Sequence, residues 1–172
     1  MGQICYSEDD GRTWQHGERI AVPGPKSLEE PTVVELKDGR LLMYIRTKAG
    51  PIYQCFSSDR GGTWTTPEPG PLVHPTSPMQ LRRIPSTGDL LCIWNNSTSH
   101  RYPLTAAISR DEGATWEHTR DLEVATPGVS QYAYASVTFH QERALLTYWV
   151  LDGSGINLKF RSLPVSWFYG GQ

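Results

Sequence analysis

The stretch "SRDEGATW", residues 109–116, decides the fold, because the chain contains two further versions of it. Residues 7–14 read "SEDDGRTW" and residues 57–64 read "SSDRGGTW". All three follow the template Ser-x-Asp-x-Gly-x-Thr-Trp, and they recur about every fifty residues. A repeat of this period is typical of a propeller or another array, in which each unit buries its face against its neighbour.

Each position of the repeated box suits a tight turn. The Asp can accept backbone N–H groups within the turn, and the Gly supplies a positive φ that other residues resist. The Trp offers a large apolar surface for packing against the neighbouring unit. No position has an evident acid, base or nucleophile beside it, and the spacing is not that of an EF-hand. We therefore predict that the boxes build the fold and do not catalyse.

The segments between the boxes are predicted to be β-strands. One unit consists of "EPTVVEL", "RLLMYIRT", "IYQCFSSD" and a short strand beginning at Trp64, and the next unit repeats that plan. The chain opens on the third strand of a unit and closes with three strands that have lost their box. The prediction is an all-β chain, a β-propeller built of four-stranded antiparallel blades, with about three and a half blades present. The predicted limits are a blade end over 1–25 and blades over 28–70, 76–125 and 130–168.

Composition excludes several classes of function. The net charge of −2 and the pI near 6.2 provide no basic field for nucleic acid or an acidic membrane. No stretch reaches the roughly 18 apolar residues of a membrane span. The first residues, "MGQICYSEDDGR", resemble no secretory leader, so no compartment is predicted.

The cysteines and histidines predict no disulfide, metal site or cofactor. The three cysteines are an odd number, and the histidines show no metal-ligand spacing. Cys5 and Cys55 occupy equivalent places in successive repeats, which lie too far apart for a bridge. Both are expected to be buried, reduced and structural.

The repeated box is the Asp-box, or BNR repeat, and the chain resembles the sialidases (neuraminidases). "EPTVVELKDGRLLMYIR", residues 30–46, looks like the family's strand pair that begins with a catalytic Glu and ends with an Arg of the carboxylate-binding triad. "HRYPLTAAISRDEGATW", residues 100–116, places Arg101 where the family has another triad Arg. "QYAYASVTF", residues 131–139, resembles the segment with the nucleophilic Tyr, which implies Tyr134, with Tyr132 as the alternative. The resemblance covers the C-terminal part of a domain that normally has six blades.

The implied residues suit a sialic-acid substrate. Arg46 and Arg101 would hold the sugar carboxylate, because the guanidinium fork binds a carboxylate bidentately. The same carboxylate would repel a negatively charged nucleophile, whereas the neutral phenol of Tyr134 escapes that repulsion. A phenol titrates near 10, so it needs a neighbouring base, which the resemblance assigns to Glu30. The expected ligand is a sialic-acid-type or other acidic glycan.

Other interpretations stay open. Glu30, Arg46 and Arg101 could be ordinary surface or salt-bridged residues. Tyr132 and Tyr134 alternate on a strand and should face the same way, which would place Tyr134 in an aromatic core. The whole chain could instead be a non-catalytic module that binds glycan or protein, or another propeller glycosidase or lyase acting on an acidic sugar.

The resemblance also implies what this stretch lacks. A sialidase uses an aspartate general acid and a further triad arginine, normally from the early blades, and neither has a counterpart here. An isolated monomer is therefore expected to show little or no sialidase activity. Two copies could close a ring through their open faces as a homodimer; the alternative is that the sequence is a piece of a longer chain.

Overall fold

The computed structural model describes residues 2–21 and 28–171, which form thirteen β-strands and one 3-10 helix. The strands are β1 Gly2–Tyr6, β2 Gln15–Ile20, β3 Leu28–Glu35, β4 Leu41–Thr47, β5 Pro51–Ser57, β6 Glu68–Val73, β7 Gln80–Arg83, β8 Leu90–Asn95, β9 Leu104–Ser109, β10 Glu117–Glu123, β11 Val129–His140, β12 Arg143–Asp152 and β13 Gly155–Pro164. The 3-10 helix covers Val165–Tyr169.

Strands that are consecutive in the sequence pair with each other and form antiparallel sheets. β1 pairs with β2, and the next sheet has the order β3-β4-β5-β6. The third sheet has the order β10-β9-β8-β7, and the last has the order β11-β12-β13. This arrangement confirms the predicted all-β class, with four-stranded antiparallel units and an incomplete unit at each end of the described chain. The blade limits stay a prediction, and residue 1 and residues 22–25 of the first predicted range lie outside the described residues.

One predicted strand begins later than expected. The fourth strand of the second sheet starts at Glu68, not at Trp64. The Trp64 indole N–H donates to the Gly61 carbonyl oxygen at 3.0 Å, so Trp64 still belongs to the box turn. Pro67 then precedes the strand and has no N–H to offer to a ladder.

The chain divides into two compact units, Met1–Gly70 and Pro71–Gln172, each with a core of its own. In the first unit, Ile20, Met43, Ile45, Tyr53 and Cys55 pack together, with Trp64 partly buried against them. In the second unit, every residue of β8 and β9 is buried. Strands covered on both faces have continuous apolar runs instead of alternating ones, which explains "LLCIWN" and "LTAAIS".

All three boxes adopt the same hydrogen-bonded turn, as predicted. In the third, the Asp111 carboxylate accepts the Thr115 backbone N–H at 2.8 Å and the Thr115 hydroxyl at 2.5 Å. The Ser109 hydroxyl donates to Asp111 at 2.8 Å and accepts the Gly113 N–H at 2.7 Å. Gly113 has φ 92°, and the corresponding glycines of the other boxes are also positive. The box carboxylates are therefore committed to the turn.

Two expectations about the first box region are wrong. Trp14 is 65% exposed, whereas Trp64 is partly buried against the core of the first unit. Cys5 is exposed, whereas Cys55 and Cys92 are buried and unbridged. Burial raises the pKa of the Cys55 thiol to about 12, as expected of an inert structural thiol. The difference arises because β1 and β2 form a two-stranded sheet, which gives β1 less cover than β5 receives between β4 and β6.

The edge strand of the last sheet exposes apolar side chains. Ile156, Leu158 and Phe160 alternate along β13 and are 69%, 85% and 63% exposed. Such a face favours association with another surface. The predicted homodimer stays a prediction.

The box geometry predicts an acid-sensitive stability. Hydrogen bonds, that of the Thr63 hydroxyl first, lower the pKa of Asp59 from 3.8 to about 2, and Asp9 behaves alike. A carboxyl group with a depressed folded-state pKa stabilises the fold above its unfolded pKa, and that stability is lost as pH falls through the folded pKa. We expect the melting temperature to fall as the pH decreases from about 4 to about 2. In Thr63→Val the fall should be shallower, and in Thr119→Val, at an exposed residue outside the boxes, it should be unchanged. An identical profile for Thr63→Val and the unaltered protein would contradict the prediction.

Candidate functional site

Glu30 lies at a distortion of β3 that directs its side chain. β3 pairs with β4 through Glu29 opposite Arg46, and the register then shifts before Thr32. Glu30 has φ 43°, a left-handed conformation that is costly for a residue with a side chain. A bulge of this kind re-aims a side chain out of the regular alternation, and bulges are frequent beside active sites.

The distortion brings Glu30 against Arg46. Arg46 Nη1 lies 2.5 Å from Glu30 Oε2, and Arg46 Nε lies 3.3 Å from Glu29 Oε2. The Arg46 side chain is 12% exposed, while that of Glu30 is 40% exposed. The pair therefore combines a nearly buried cation with a carboxylate that reaches solvent.

Tyr134 occupies a similar distortion in the second unit. The β11–β12 register shifts between Ala133 and Ser136, and Tyr134 has φ 55°. Its side chain is 46% exposed. The expectation that Tyr132 and Tyr134 face the same way is wrong, because Tyr132 is 3% exposed and its hydroxyl donates to Thr126 Oγ1 at 3.0 Å. The shifted register breaks the alternation of the strand, so the two tyrosines have different surroundings.

Arg101 lies beside Tyr134. The Arg101 Cζ atom is 5.9 Å from the centroid of the Tyr134 ring and 6.0 Å from that of Trp149. The two rings are themselves stacked, with centroids 5.5 Å apart and an interplanar angle of 21°. Among the described residues, no carboxylate oxygen lies within 4.0 Å of the Arg101 guanidinium. A half-buried cation without an internal counter-charge is suited to binding an anionic group.

The backbone around Arg101 is tied to the strand that carries Tyr134. The Arg101 carbonyl oxygen accepts the Tyr132 N–H at 2.9 Å. The buried Asn95 amide donates to the carbonyl oxygens of Tyr132, at 3.0 Å, and Pro103, at 3.2 Å. These bonds hold the loop containing Arg101 next to β11.

The structure thus brings the four predicted residues together in pairs, one in each unit. Glu30 contacts Arg46 in the first unit, and Tyr134 lies against Arg101 in the second. Trp149 was not among the predicted residues. Its position on the strand after Tyr134 is visible in the sequence, but the register that stacks the two rings depends on a bulge that the sequence pattern does not reveal.

Other kinds of site are not supported within the described residues. They contain no group of three or more His, Cys, Asp or Glu side chains placed to hold a metal ion. The same residues contain no helix that is long and apolar enough to cross a membrane.

Comparison with known proteins identifies the family. A family model described as "BNR repeat-like domain" matches residues 3–145. A sialidase of Micromonospora viridifaciens is 29% identical over 181 residues, covering 96% of this chain and 25% of that protein. A sialidase of Bacteroides fragilis (strain YCH46) is 30% identical over 128 residues, covering 69% of this chain and 23% of that protein. The chain therefore spans about a quarter of the length of these curated relatives.

A solved structure of a related enzyme has a similar fold. A leech intramolecular trans-sialidase, solved in complex with 2,7-anhydro-Neu5Ac, superposes with a TM-score of 0.76 at 22% identity, covering 98% of this chain and 28% of that one. At this identity the superposition establishes the fold alone. The family match, together with the repeated boxes, shows that the chain belongs to the family of BNR repeat-like domains, and sialidases are among its relatives.

Proposed function

We propose that the chain carries part of the active site of a retaining exo-α-sialidase. In this proposal Tyr134 is the nucleophile, Glu30 is its base, and Arg46 and Arg101 bind the substrate carboxylate. The observation that carries the proposal is the Arg101 guanidinium, which has no carboxylate partner within residues 2–21 and 28–171 and lies beside a Tyr that a backbone bulge exposes. The curated relatives named sialidases support the same class of substrate.

The proposed reaction proceeds through a glycosyl–tyrosine intermediate. The Tyr134 phenol oxygen attacks the anomeric carbon, and Glu30 accepts the phenolic proton. The bond from the anomeric carbon to the leaving oxygen breaks, and that oxygen takes the electron pair. Water then attacks the anomeric carbon and displaces Tyr134, and Glu30 returns the proton to the phenol oxygen. The proton that the attacking water loses balances the one that the leaving oxygen of the first step gains. Two displacements at one carbon retain its configuration.

The proton for the leaving oxygen is not assigned to a residue of this chain. The proposal therefore concerns nucleophile activation and carboxylate binding. The expectation that an isolated monomer turns over little substrate remains part of it, and appreciable sialoside hydrolysis by a proven monomer would contradict that expectation.

Arg46 can bind the substrate carboxylate only by sharing its guanidinium with two glutamates. In the structure its guanidinium already contacts Glu29 and Glu30. An incoming carboxylate would share the guanidinium with these groups, whereas Arg101 needs no such exchange. We therefore expect Arg101 to supply the larger share of the binding free energy for the substrate carboxylate.

The test is binding, because binding does not require the unassigned proton donor. N-acetylneuraminic acid should bind the chain in a calorimetric or saturation-transfer NMR titration, and its methyl ester should bind at least about tenfold more weakly, because a charge-assisted hydrogen bond contributes about 1.5–3 kcal/mol. Neutral N-acetylglucosamine is the matched control and should not bind. Equal affinity for the acid and its ester would overturn the proposal that Arg46 and Arg101, together called the carboxylate clamp, bind the substrate carboxylate.

A further inference from the structure

Trp149 is a half-buried residue, and the pairing of β12 with β11 places it beside Tyr134, the candidate nucleophile. It lies on β12 directly opposite Ala133 of β11, next to the register shift that contains Tyr134. The neighbouring β12 residues Tyr148 and Val150 point into the core of the second unit, so Trp149 is on the other face of the sheet. On that face its ring meets Tyr134.

A neighbouring aromatic surface supports the orientation of the Tyr134 ring. The bulge turns Tyr134 out of the core and leaves it 46% exposed, so core packing does not hold its ring as it holds Tyr132. The near-parallel Trp149 indole, 5.5 Å away by centroids, provides that surface. Offset-stacked aromatic pairs at this separation are favourable beyond the area they bury.

Trp149 also fixes the position of the Arg101 guanidinium. Arg101 Cζ is almost equally distant from the two ring centroids, at 5.9 and 6.0 Å. A cation–π contact uses the ring face and leaves the guanidinium N–H groups available to a carboxylate. The stack can therefore hold the cation in place without neutralising it.

We propose that Trp149 is a positioning residue, which sets the phenol oxygen of Tyr134 and the guanidinium of Arg101 at the separation required by a ligand that bears its carboxylate on the reacting carbon. This inference rests on the proposed function. It names an aromatic support that neither the family match nor the sequence motifs assign. Its consequence is that loss of the indole face lowers affinity for an acidic sugar even though Trp149 offers no charge of its own.

The experiment compares Trp149→Leu and Trp149→Phe in the complete chain, with Trp14→Leu as the control. Trp14 is 65% exposed and lies in the first box. Two quantities are measured: the affinity for N-acetylneuraminic acid, and the ring chemical shifts of Tyr134 in protein labelled with ¹³C-tyrosine, assigned by Tyr134→Phe. In Trp149→Leu the ring-current displacement of Tyr134 should disappear and the affinity should fall about three- to tenfold, the loss expected for one aromatic stack. Trp149→Phe should keep a reduced ring-current displacement and most of the affinity, and Trp14→Leu should change neither quantity.

The outcomes separate this inference from the proposed function. If the unaltered chain does not bind N-acetylneuraminic acid, the proposed function fails, and the Tyr134 shifts still test the stack. Unchanged Tyr134 shifts in Trp149→Leu, or full affinity in that variant, would overturn the inference while leaving the carboxylate clamp standing. If Trp149→Leu does not fold, Trp149→Phe decides: its smaller ring should reduce the Tyr134 displacement, and an unchanged displacement would overturn the inference.

Discussion

Replacing Arg101 with alanine is expected to weaken the binding of N-acetylneuraminic acid by at least about tenfold, and by as much as about a hundredfold. The guanidinium lies against two aromatic rings, and among the described residues it faces no carboxylate. Its loss therefore removes charge-assisted hydrogen bonds to the ligand without leaving an internal carboxylate unpaired. Arg101→Lys keeps the charge but loses the planar fork, so its affinity should lie between those of the alanine variant and the unaltered chain.

Arg143→Ala is the matched control for this measurement. Arg143 is exposed and donates to Ser162 Oγ at 2.7 Å and to the Ser162 carbonyl oxygen at 2.7 Å, which makes it a surface residue of the last sheet. Its removal should leave the affinity for N-acetylneuraminic acid unchanged. If Arg101→Ala bound the sugar as tightly as Arg143→Ala does, Arg101 would not be part of the carboxylate site.

Replacing Glu123 with alanine is expected to lower the free energy of unfolding by about 2–3 kcal/mol, the range for removing one partner of a largely buried polar cluster. One carboxylate oxygen, Glu123 Oε1, accepts the Tyr148 hydroxyl and lies 2.5 Å from Lys159 Nζ and 3.7 Å from Arg161 Nη1. The Glu123 side chain is 11% exposed. Burial, assisted by the hydrogen bond to Glu123, raises the pKa of the Tyr148 phenol. Without Glu123, that phenol and Lys159 lose their common acceptor, and Arg161 loses a nearby counter-charge.

Thermal unfolding followed by circular dichroism measures the effect, which corresponds to a fall in melting temperature of roughly 10 °C for a unit of about one hundred residues. Glu123→Gln keeps an acceptor for Tyr148 and should lose less. Glu117→Gln is the control, because its ion pair with Arg110 is solvent-exposed on both sides and should contribute less than about 1 kcal/mol. A loss in Glu123→Ala no larger than that in Glu117→Gln would show that the cluster does not stabilise the unit.

Much of the fold could be predicted from the sequence because its signals are local. The box specifies its own turn: an Asp, a Thr two residues after the Gly, and a Gly with positive φ are sufficient to make the same hydrogen bonds three times. The strands between the boxes follow from alternating or continuous apolar runs. The start of β6 was predicted too early, because the Trp64 indole bonds back into the turn, and no propensity encodes that contact.

The candidate site was only partly predictable. The sequence by itself determined the residue types, the box period and the resemblance that singles out Glu30, Arg46, Arg101 and Tyr134. The tertiary structure decided which of them meet and how. The bulges at Glu30 and Tyr134 turn both side chains out of the regular alternation, which put Tyr134 in solvent while Tyr132 stayed in the core.

The stacking of Trp149 and the pairing of the arginines were likewise decided by the tertiary structure. Whether an Arg is paired with a carboxylate depends on partners that are distant in sequence. Only the structure therefore separates Arg46, which contacts two glutamates, from Arg101, which lies beside the stacked rings of Tyr134 and Trp149. A sequence encodes turns through neighbouring residues, because their hydrogen bonds close within a few positions. It leaves register, bulges and cross-strand stacking to the packing of the whole sheet, because a shift of one residue reverses the face on which every following side chain lies.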